Sequence, residues 1–317
     1  MTDLQVAPIA FGTWQLGGDW GDFDERDAIA AIRHARALGI NLFDTAQAYG
    51  FGASERLLGR ALGDELNHRR DDVVIATKGG LRMTEHGMVR DSSASWLRAG
   101  VEQSLRALGV EHIDLYQVHW PDPNVPLAET AGALQQLVDE GKIRHVGVSN
   151  YSTTEMAGFA RARRVETLQP AYHLFRREFE ADIAPYVLEH DIGVLIYGPL
   201  AHGLLAGKMD EHTPFPEDDW RGQNSLFQGE TFRRNLEKVR ELDRLARERG
   251  RSVSQLAIAW TLANPAVDVA IVGARRAAHI EESVGAADFE LSEEDLAEID
   301  RIMAGAVTVP GPSPESV

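Results

Sequence analysis

"NLFDTAQAYGFG", residues 41–52, begins as an apolar run and turns polar at Asp44. Tyr49 stands five residues beyond that aspartate, and Gly50 and Gly52 flank Phe51. Packing gives a buried strand no reason to end on a carboxylate, because an unpaired buried charge is strongly unfavourable. The stretch therefore predicts a strand whose tip carries chemistry. Its partners must come from elsewhere in the chain.

Similar β-rich runs recur at 9–13, 73–78, 113–119, 145–150, 167–172, 193–197 and 269–273. Amphipathic helical patterns lie between them, as at 26–38, 94–108 and 127–140. Gly39, Gly109 and Gly141 stand where a residue just past a helix end belongs. Eight strands, with a helix after nearly every one, predict a parallel sheet closed into a single (β/α)8 TIM barrel. A doubly wound fold would carry GxGxxG after its first strand, and no such run is present. No linker-like stretch divides residues 1–317, so one domain is expected. A long loop after strand seven, about 202–230, has the length of a lid or binding loop. The tail, 306–317, reads as mobile.

Composition narrows the class. The 317 residues are 44% hydrophobic and 26% charged, which fits a soluble globular enzyme. The net charge of −17 argues against a nucleic-acid partner. Cysteine is absent, so there is no thiolate metal site and nothing points to an oxidising compartment. The start, MTDLQVAPIAFGTW, lacks the basic and apolar regions of a secretory leader. No apolar run approaches the roughly 20 residues needed to span a bilayer. The expectation is a cytoplasmic protein with no membrane partner. HExxH is absent, and His86, His112, His190, His202 and His212 show no metal-ligand spacing. No metal is expected, and those histidines read as surface or packing residues. Oligomeric state is not legible.

In a (β/α)8 barrel the chemistry sits at the C-terminal ends of the strands. Here those ends carry Asp44, Lys78, His119, Ser149-Asn150 and Tyr197-Gly198, with Gln169 in the sixth strand. Each has a bland alternative: Asp44 as a helix cap, Lys78 as a surface lysine, His119 as a satisfied core histidine, Tyr49 as loop packing. The tips of strands two, three and four are neighbours in the barrel, so these four side chains can converge. A lysine beside a phenol favours the phenolate, and a carboxylate paired to the lysine holds it in place. A histidine beside the same oxygen can bond a substrate oxygen or relay a proton. That is a proton donor for a carbonyl becoming an alkoxide. With no metal or thiol in the sequence pattern, the electrons would come from a bound cofactor.

The segments "GINLFDTAQAYG", "IATKGG", "DLYQVHWPDP", "VGVSNY", "LQPAYHLF", "YGPLAHGLLAGK" and "AIVGARRAAHIEES" resemble the aldo-keto reductase superfamily, in order and at its spacing. The resemblance runs from residue 9 to residue 303. It implies a catalytic tetrad of Asp44, Tyr49, Lys78 and His119, with Tyr49 as general acid/base and His119 orienting the carbonyl. It also implies nicotinamide bound without a Rossmann unit. Tyr197 would stack on the ring, and Ser149, Asn150 and Gln169 would bond its carboxamide. Gly12, Thr13, Trp14 and Asp44 would border the same end of the cofactor. Gly198, Pro199, Leu200, Gly203, Leu204 and Lys208 would follow the pyrophosphate. Read as a Walker motif this last stretch fails, because Gly203 to Gly207 is one residue short and Met209 replaces Ser/Thr.

Gly273, Arg275, His279, Glu282 and Ser283 would form the adenosine end. Two arginines at a helix N-terminus, Arg275 and Arg276, suit a dianionic 2′-phosphate. NADPH is favoured over NADH. His279 and Ser283 depart from the Gln or Arg and the Asn common in relatives. Trp14, Trp120 and Trp220 would wall the substrate pocket, with Trp20 and Phe51 at the mouth. "GDWGDFDERDA" and Arg176-Arg177-Glu178 are similar to the bacterial general aldehyde reductase branch. The expected function is NADPH-dependent reduction of small aldehydes and ketones. The alternatives are an NAD(P)-dependent sugar or inositol dehydrogenase, and a cofactor-binding regulatory protein with little turnover.

Overall fold

The strand that opens the argument is present as Leu42–Asp44, and it lies where its chemistry requires. In the computed structural model, described here for residues 4–17, 23–216 and 219–308, strands and helices alternate along the chain. The strands are β1 (Ile9–Gly12), β2 (Leu42–Asp44), β3 (Val74–Gly79), β4 (Leu81–Thr84), β5 (Gly87–Arg90), β6 (Ile113–Val118), β7 (Ile143–Ser149), β8 (Thr167–Gln169), β9 (Gly193–Tyr197) and β10 (Val269–Gly273). The helices are α1 (Glu25–Ala37), α2 (Ala53–Ala61), α3 (Gly63–His68), α4 (Ala94–Leu108), α5 (Leu127–Asp139), α6 (Thr153–Ala160), α7 (Phe179–Glu189), α8 (Gly229–Glu248), α9 (Val253–Leu262), α10 (Ala277–Val284) and α11 (Glu293–Met303). Eight of the strands close a parallel barrel in the order β1-β10-β9-β8-β7-β6-β3-β2. β4 and β5 form a separate antiparallel hairpin. The fold is a (β/α)8 TIM barrel.

Strand periodicity explains how apolar strands end in polar tips. Successive side chains point to opposite faces. Leu42, Val74, Ala76, Leu115, Leu195, Val269 and Ile271 belong to one small apolar cluster that fills the barrel interior. Two residues further along three of those strands stand Asp44, Lys78 and Gln117, on the same inner face. The intervening residues, such as Phe43, Ile75 and Tyr116, join the larger core between strands and helices. One alternation thus produces an apolar floor and a polar top.

Helix ends are fixed locally. Asp24 caps α1, and Ser152 with Glu155 and Ser252 with Gln255 form capping boxes on α6 and α9. Gly39, Gly109 and Gly141 adopt φ of 94°, 72° and 71°, the left-handed geometry expected just past a helix.

The sixth strand, expected over 167–172, stops at Gln169. Pro170 has no N–H to continue the ladder, and its carbonyl instead accepts from Tyr197 N at 3.0 Å. Residues 306 and 307, expected in a mobile tail, are held. Val307 N donates to Asn235 Oδ1 and Asn235 Nδ2 donates back to the Val307 carbonyl, both at 2.9 Å. Residues 309–317 lie outside the described residues. The hairpin β4–β5 and helices α3, α9 and α11 were not anticipated. The long loop holds three 3-10 turns, Ala201–Ala206, Trp220–Gln223 and Ser225–Phe227.

Candidate active site

Asp44 ends β2, and Lys78 sits one residue before the end of β3. His119 follows β6, and its N–H continues the ladder to the Gly79 carbonyl at 2.9 Å. Tyr49 lies on the loop between β2 and α2, which passes so close to the segment after β1 that a Cβ on Gly50 would sit 2.3 Å from the Gly17 carbonyl oxygen. Glycine is required there for space as well as for its φ of 61°.

The convergence expected from the sequence is present. Lys78 Nζ donates to Asp44 Oδ1 at 2.6 Å, to the Thr45 carbonyl at 3.0 Å and to Tyr49 Oη at 3.3 Å. That uses all three ammonium donors. Asp44 Oδ2 accepts from Gln169 Nε2 at 2.9 Å and from Gln117 Nε2 at 3.5 Å. Lys78 is 1% exposed and Asp44 3%. A buried ion pair is tolerated only when its remaining bonds are satisfied in this way. His119 meets the Tyr49 ring edge-on at 5.7 Å between centroids. Burial, then the nearby Lys78 charge, hold the His119 imidazole well below its usual pKa, so it is neutral at neutral pH. Its buried Nδ1 has no hydrogen-bond partner among the described residues.

A cavity of about 360 Å³ opens over Tyr49 and His119 and extends to Arg275 and Ser283. Near the tetrad it is lined by Gly12, Trp14, Ser149, Asn150, Gln169 and Tyr197. These side chains are wired together. Ser149 Oγ donates to the Gln169 carbonyl at 2.9 Å, Asn150 Nδ2 donates to the His119 carbonyl at 3.2 Å, and Tyr197 Oη donates to Asn150 Oδ1 at 2.9 Å. Asn150 takes φ 61°, a left-handed conformation that asparagine tolerates better than most residues.

Farther along, Gly198, Pro199, Leu200, Gly203 and Lys208 border the cavity. The chain there runs through a left-handed turn, with φ of 47°, 56° and 98° at Ala201, His202 and Gly203. Non-glycine residues held in this region concentrate at functional sites. Gly273, Arg275, His279, Glu282 and Ser283 complete the far end. Burial, then Lys208 and Arg276, lower the His279 pKa against the pull of Glu282.

Two residues expected at the cofactor do not line the cavity. Thr13 is fully buried, donating to the Asp44 carbonyl at 3.1 Å and accepting from Ser54 Oγ at 2.6 Å. Leu204 is fully buried in the core. Two expected pocket walls also lie outside it. Trp120 packs under the Arg90 guanidinium, at 5.2 Å, and Trp220 packs on Phe227 and, edge-on at 4.8 Å, on His202. Only Trp14 of the three predicted tryptophans borders the cavity, 6.5 Å from the Tyr49 ring. Phe51 is 42% exposed beside Gln47 and Glu55, away from this cavity. Trp20 lies outside the described residues. Arg276, exposed, faces Asp27 at 3.9 Å and also leaves the cavity lining.

Sequence reading missed His202 and Arg221, both of which line the cavity. His202 was read as a surface or packing residue. Its surroundings, chiefly burial and then Arg176 and Arg221, push its pKa down to about 4. Arg221 pairs with Asp219 at 2.6 Å, donates to the His202 carbonyl at 3.2 Å, and covers the Phe215 ring at 5.2 Å. The signal available was position: His202 lies inside the glycine-rich turn, and Arg221 in a loop already expected to cover a site.

The donor set fits a phosphate-bearing nicotinamide cofactor. Amide and hydroxyl groups border the tetrad end, and the cations Lys208, Arg221 and Arg275 border the other. Among the described residues no group of three or more His, Cys, Asp or Glu is arranged to hold a metal ion, and no helix is long and apolar enough to cross a membrane.

Comparison with known proteins gives the family. Residues 8–304 match the model of the aldo/keto reductase family. The chain is 42% identical to aldo-keto reductase YhdN of Bacillus subtilis, over 98% of this chain and 93% of that protein. It is 33% identical to the L-glyceraldehyde 3-phosphate reductase of Escherichia coli K12, over 95% and 90%. Among solved structures, a glycerol dehydrogenase from Gluconobacter oxydans superposes with a TM-score of 0.89 at 39% identity, covering 100% of this chain and 97% of that one. An aldo/keto reductase from Klebsiella pneumoniae, in complex with NADP and acetate, superposes with a TM-score of 0.74 at 31% identity, covering 94% and 92%. The chain belongs to the aldo/keto reductase family.

Proposed function

We propose that this protein reduces small aldehydes and ketones to alcohols with NADPH, Tyr49 delivering the proton to the carbonyl oxygen. The observation that carries this reading is the position of Lys78 Nζ, bonded at once to Asp44 and to Tyr49 Oη, below a cavity open to Tyr49 and His119. Bound nicotinamide supplies the hydride. Ser149, Asn150 and Gln169 would hold its carboxamide, and Tyr197 would pack on its ring. Lys208 and Arg221 would hold its pyrophosphate, and Arg275 the 2′-phosphate.

The protein's own part is proton delivery and charge stabilisation. A neutral His119 donates a hydrogen bond to the carbonyl oxygen, which draws that oxygen toward Tyr49 Oη. As the oxygen gains negative charge, Tyr49 transfers its proton to it. The adjacent Lys78 ammonium stabilises the phenolate left behind, and Asp44 keeps Lys78 in place. Because His119 is neutral, it is suited to orienting the carbonyl and Tyr49 to giving up the proton. Small polar carbonyls such as glyceraldehyde suit a cavity that combines Trp14 with His202. The similar reductase of L-glyceraldehyde 3-phosphate and the similar glycerol dehydrogenase support that class.

The test is cofactor oxidation followed at the nicotinamide band with glyceraldehyde, methylglyoxal and aromatic aldehydes. NADPH consumption with several of them supports the reading. Tight NADPH binding without turnover across the panel contradicts it and favours a regulatory role.

A further inference from the structure

Behind the tetrad, on the outer face of the barrel wall, lies a second polar cluster that the chemistry above does not use. Strand alternation makes it. Lys78 faces the barrel interior, so Thr77 and Gly79 face α2 and α4, and Tyr116 on β6 faces the same way. Glu55, from α2, is 1% exposed, and its Oε1 accepts from Thr77 Oγ1 at 2.7 Å. Gln47, from the loop that carries Tyr49, donates through Nε2 to Gln103 Oε1 on α4 at 2.7 Å. Ser104 and Tyr116 are fully buried beside them.

Space for this cluster is made by two glycines. A Cβ on Gly79 would lie 1.9 Å from Tyr116 Oη, and one on Gly100 would lie 3.0 Å from it. Two buried oxygens, Gln47 Oε1 and Tyr116 Oη, have no hydrogen-bond partner among the described residues, while Ser104 lies within bonding reach of Glu55. Such groups are normally satisfied, and their mixture of donors and acceptors is what a buried water bridges. A surface cleft lined by Arg56 and Arg106 reaches Gln47 and Glu55.

The chain path gives this cluster a mechanical meaning. Tyr49 lies between Gln47 and Glu55 in sequence. Lys78 follows Thr77 directly. The Tyr49 loop is thus tied to β3 at its start, where Gln47 N–H donates to the Lys78 carbonyl at 3.0 Å, and beyond its end, where Glu55 accepts from Thr77; β3 carries Lys78 on the other face. We propose that Glu55, which touches no reacting atom, is a positioning residue that sets the Tyr49–Lys78 distance through its bond to Thr77. This rests on the reading of Tyr49 as proton donor. The charged and titratable groups facing Glu55 are Arg56 on its own helix, Lys78 on β3 and Tyr116 on β6; those facing Tyr49 are Lys78, His119 and Asp44. Burial raises the Glu55 pKa, against the pull of Ser104, Thr77, Arg56 and Lys78. A Glu-to-Gln exchange therefore makes a mild change there, and an apolar one removes the anchor.

The experiment titrates the Tyr49 phenol directly by tyrosinate absorbance, subtracting the matching Tyr49→Phe protein, in the wild type, Glu55→Gln, Glu55→Leu and Thr77→Val. This readout needs no turnover. Glu55→Leu is expected to raise the phenol midpoint by about one pH unit, since a displaced cation stabilises the phenolate less. Its single-turnover NADPH oxidation with glyceraldehyde should fall about tenfold or more, while NADPH Kd stays within about twofold. Glu55→Gln, whose amide oxygen still accepts from Thr77, should keep the wild-type midpoint. Thr77→Val should shift it in the same direction as Glu55→Leu, by less, and decides the matter if Glu55→Leu does not fold. A folded Glu55→Leu or Thr77→Val protein with the wild-type midpoint overturns the proposal. A midpoint that moves while the wild type reduces no carbonyl upholds the positioning role and overturns the functional reading.

Discussion

The two ends of the cavity are built on opposite plans. At the tetrad end, Lys78 and Asp44 are almost fully enclosed, and every donor of the lysine is used within the protein. At the far end, Lys208 and His279 are exposed and Arg275 is half-buried. Strand tips supply the first set, and loops with a helix N-terminus supply the second. Under the proposed function the difference separates two tasks. Chemistry that moves a proton needs groups held in advance by one another. Capture of a highly charged ligand needs cations that water still reaches until the ligand arrives.

Breaking the tetrad end should have the largest effect. Lys78→Met removes the cation beside Tyr49 and leaves Asp44 buried with its amide partners alone. Turnover should fall by about a thousandfold or more. Unfolding free energy from a urea titration should fall by about 3–5 kcal/mol, the usual result of stranding one member of a buried pair. A stable, active Lys78→Met protein would mean that the network is not what holds this end together.

At the far end, Arg275→Ala should weaken NADPH by about 10–100-fold while hardly changing NADH, the size of a lost charge-assisted bond to phosphate. Calorimetry with both cofactors tests this, and equal losses would move the 2′-phosphate elsewhere.

Two histidines lining the cavity are held neutral, His119 beside Tyr49 and His202 beside Trp14, with His173 buried beside His202. Their folded pKa values lie below the ordinary 6.5, so below that pH the unfolded chain binds more protons and stability falls as pH falls. For His202 the window runs from 6.5 down to about 4. Each group contributes at most about 1.4 kcal/mol per pH unit within its window. Glu55 acts in the opposite sense, its raised pKa costing stability as pH rises above 4.5. Urea midpoints at pH 7 and 5 should therefore show a net loss at pH 5. His202→Asn should reduce that loss if His202 contributes to it.

The smallest effect is expected for Arg276→Ala. Its side chain is exposed and faces Asp27 at 3.9 Å, so NADPH affinity should change by no more than about threefold. A loss matching that of Arg275→Ala would show that both arginines reach the phosphate.

The meeting of Asp44 and Lys78 was legible because strand alternation puts both on the inner face at neighbouring strand tips: an apolar run ending in a charge has few explanations once the barrel is counted out. The barrel was legible for the same reason, from repeated strands with glycines closing the helices between them. The loop residues were harder. Arg221 is brought to the cavity by a turn with no periodicity to read, and His202 by three successive left-handed residues, two of them non-glycine. Trp120 was placed by adjacency to His119 and Trp220 by its position in the long loop, but one packs under Arg90 and the other against His202 and Phe227. Thr13 is a neighbour of the cavity in sequence alone, because its hydroxyl turns into the wall toward Ser54. The cluster around Glu55 was invisible, since it depends on which residues face outward across from two glycines.

The most direct test of the account is single-turnover reduction of glyceraldehyde by enzyme-bound NADPH in the wild type and in Tyr49→Phe. The account predicts NADPH affinity within about twofold and a rate lower by about 10²–10⁴-fold in the mutant, because only the proton donor is lost. A Tyr49→Phe protein that keeps most of the wild-type rate would contradict it.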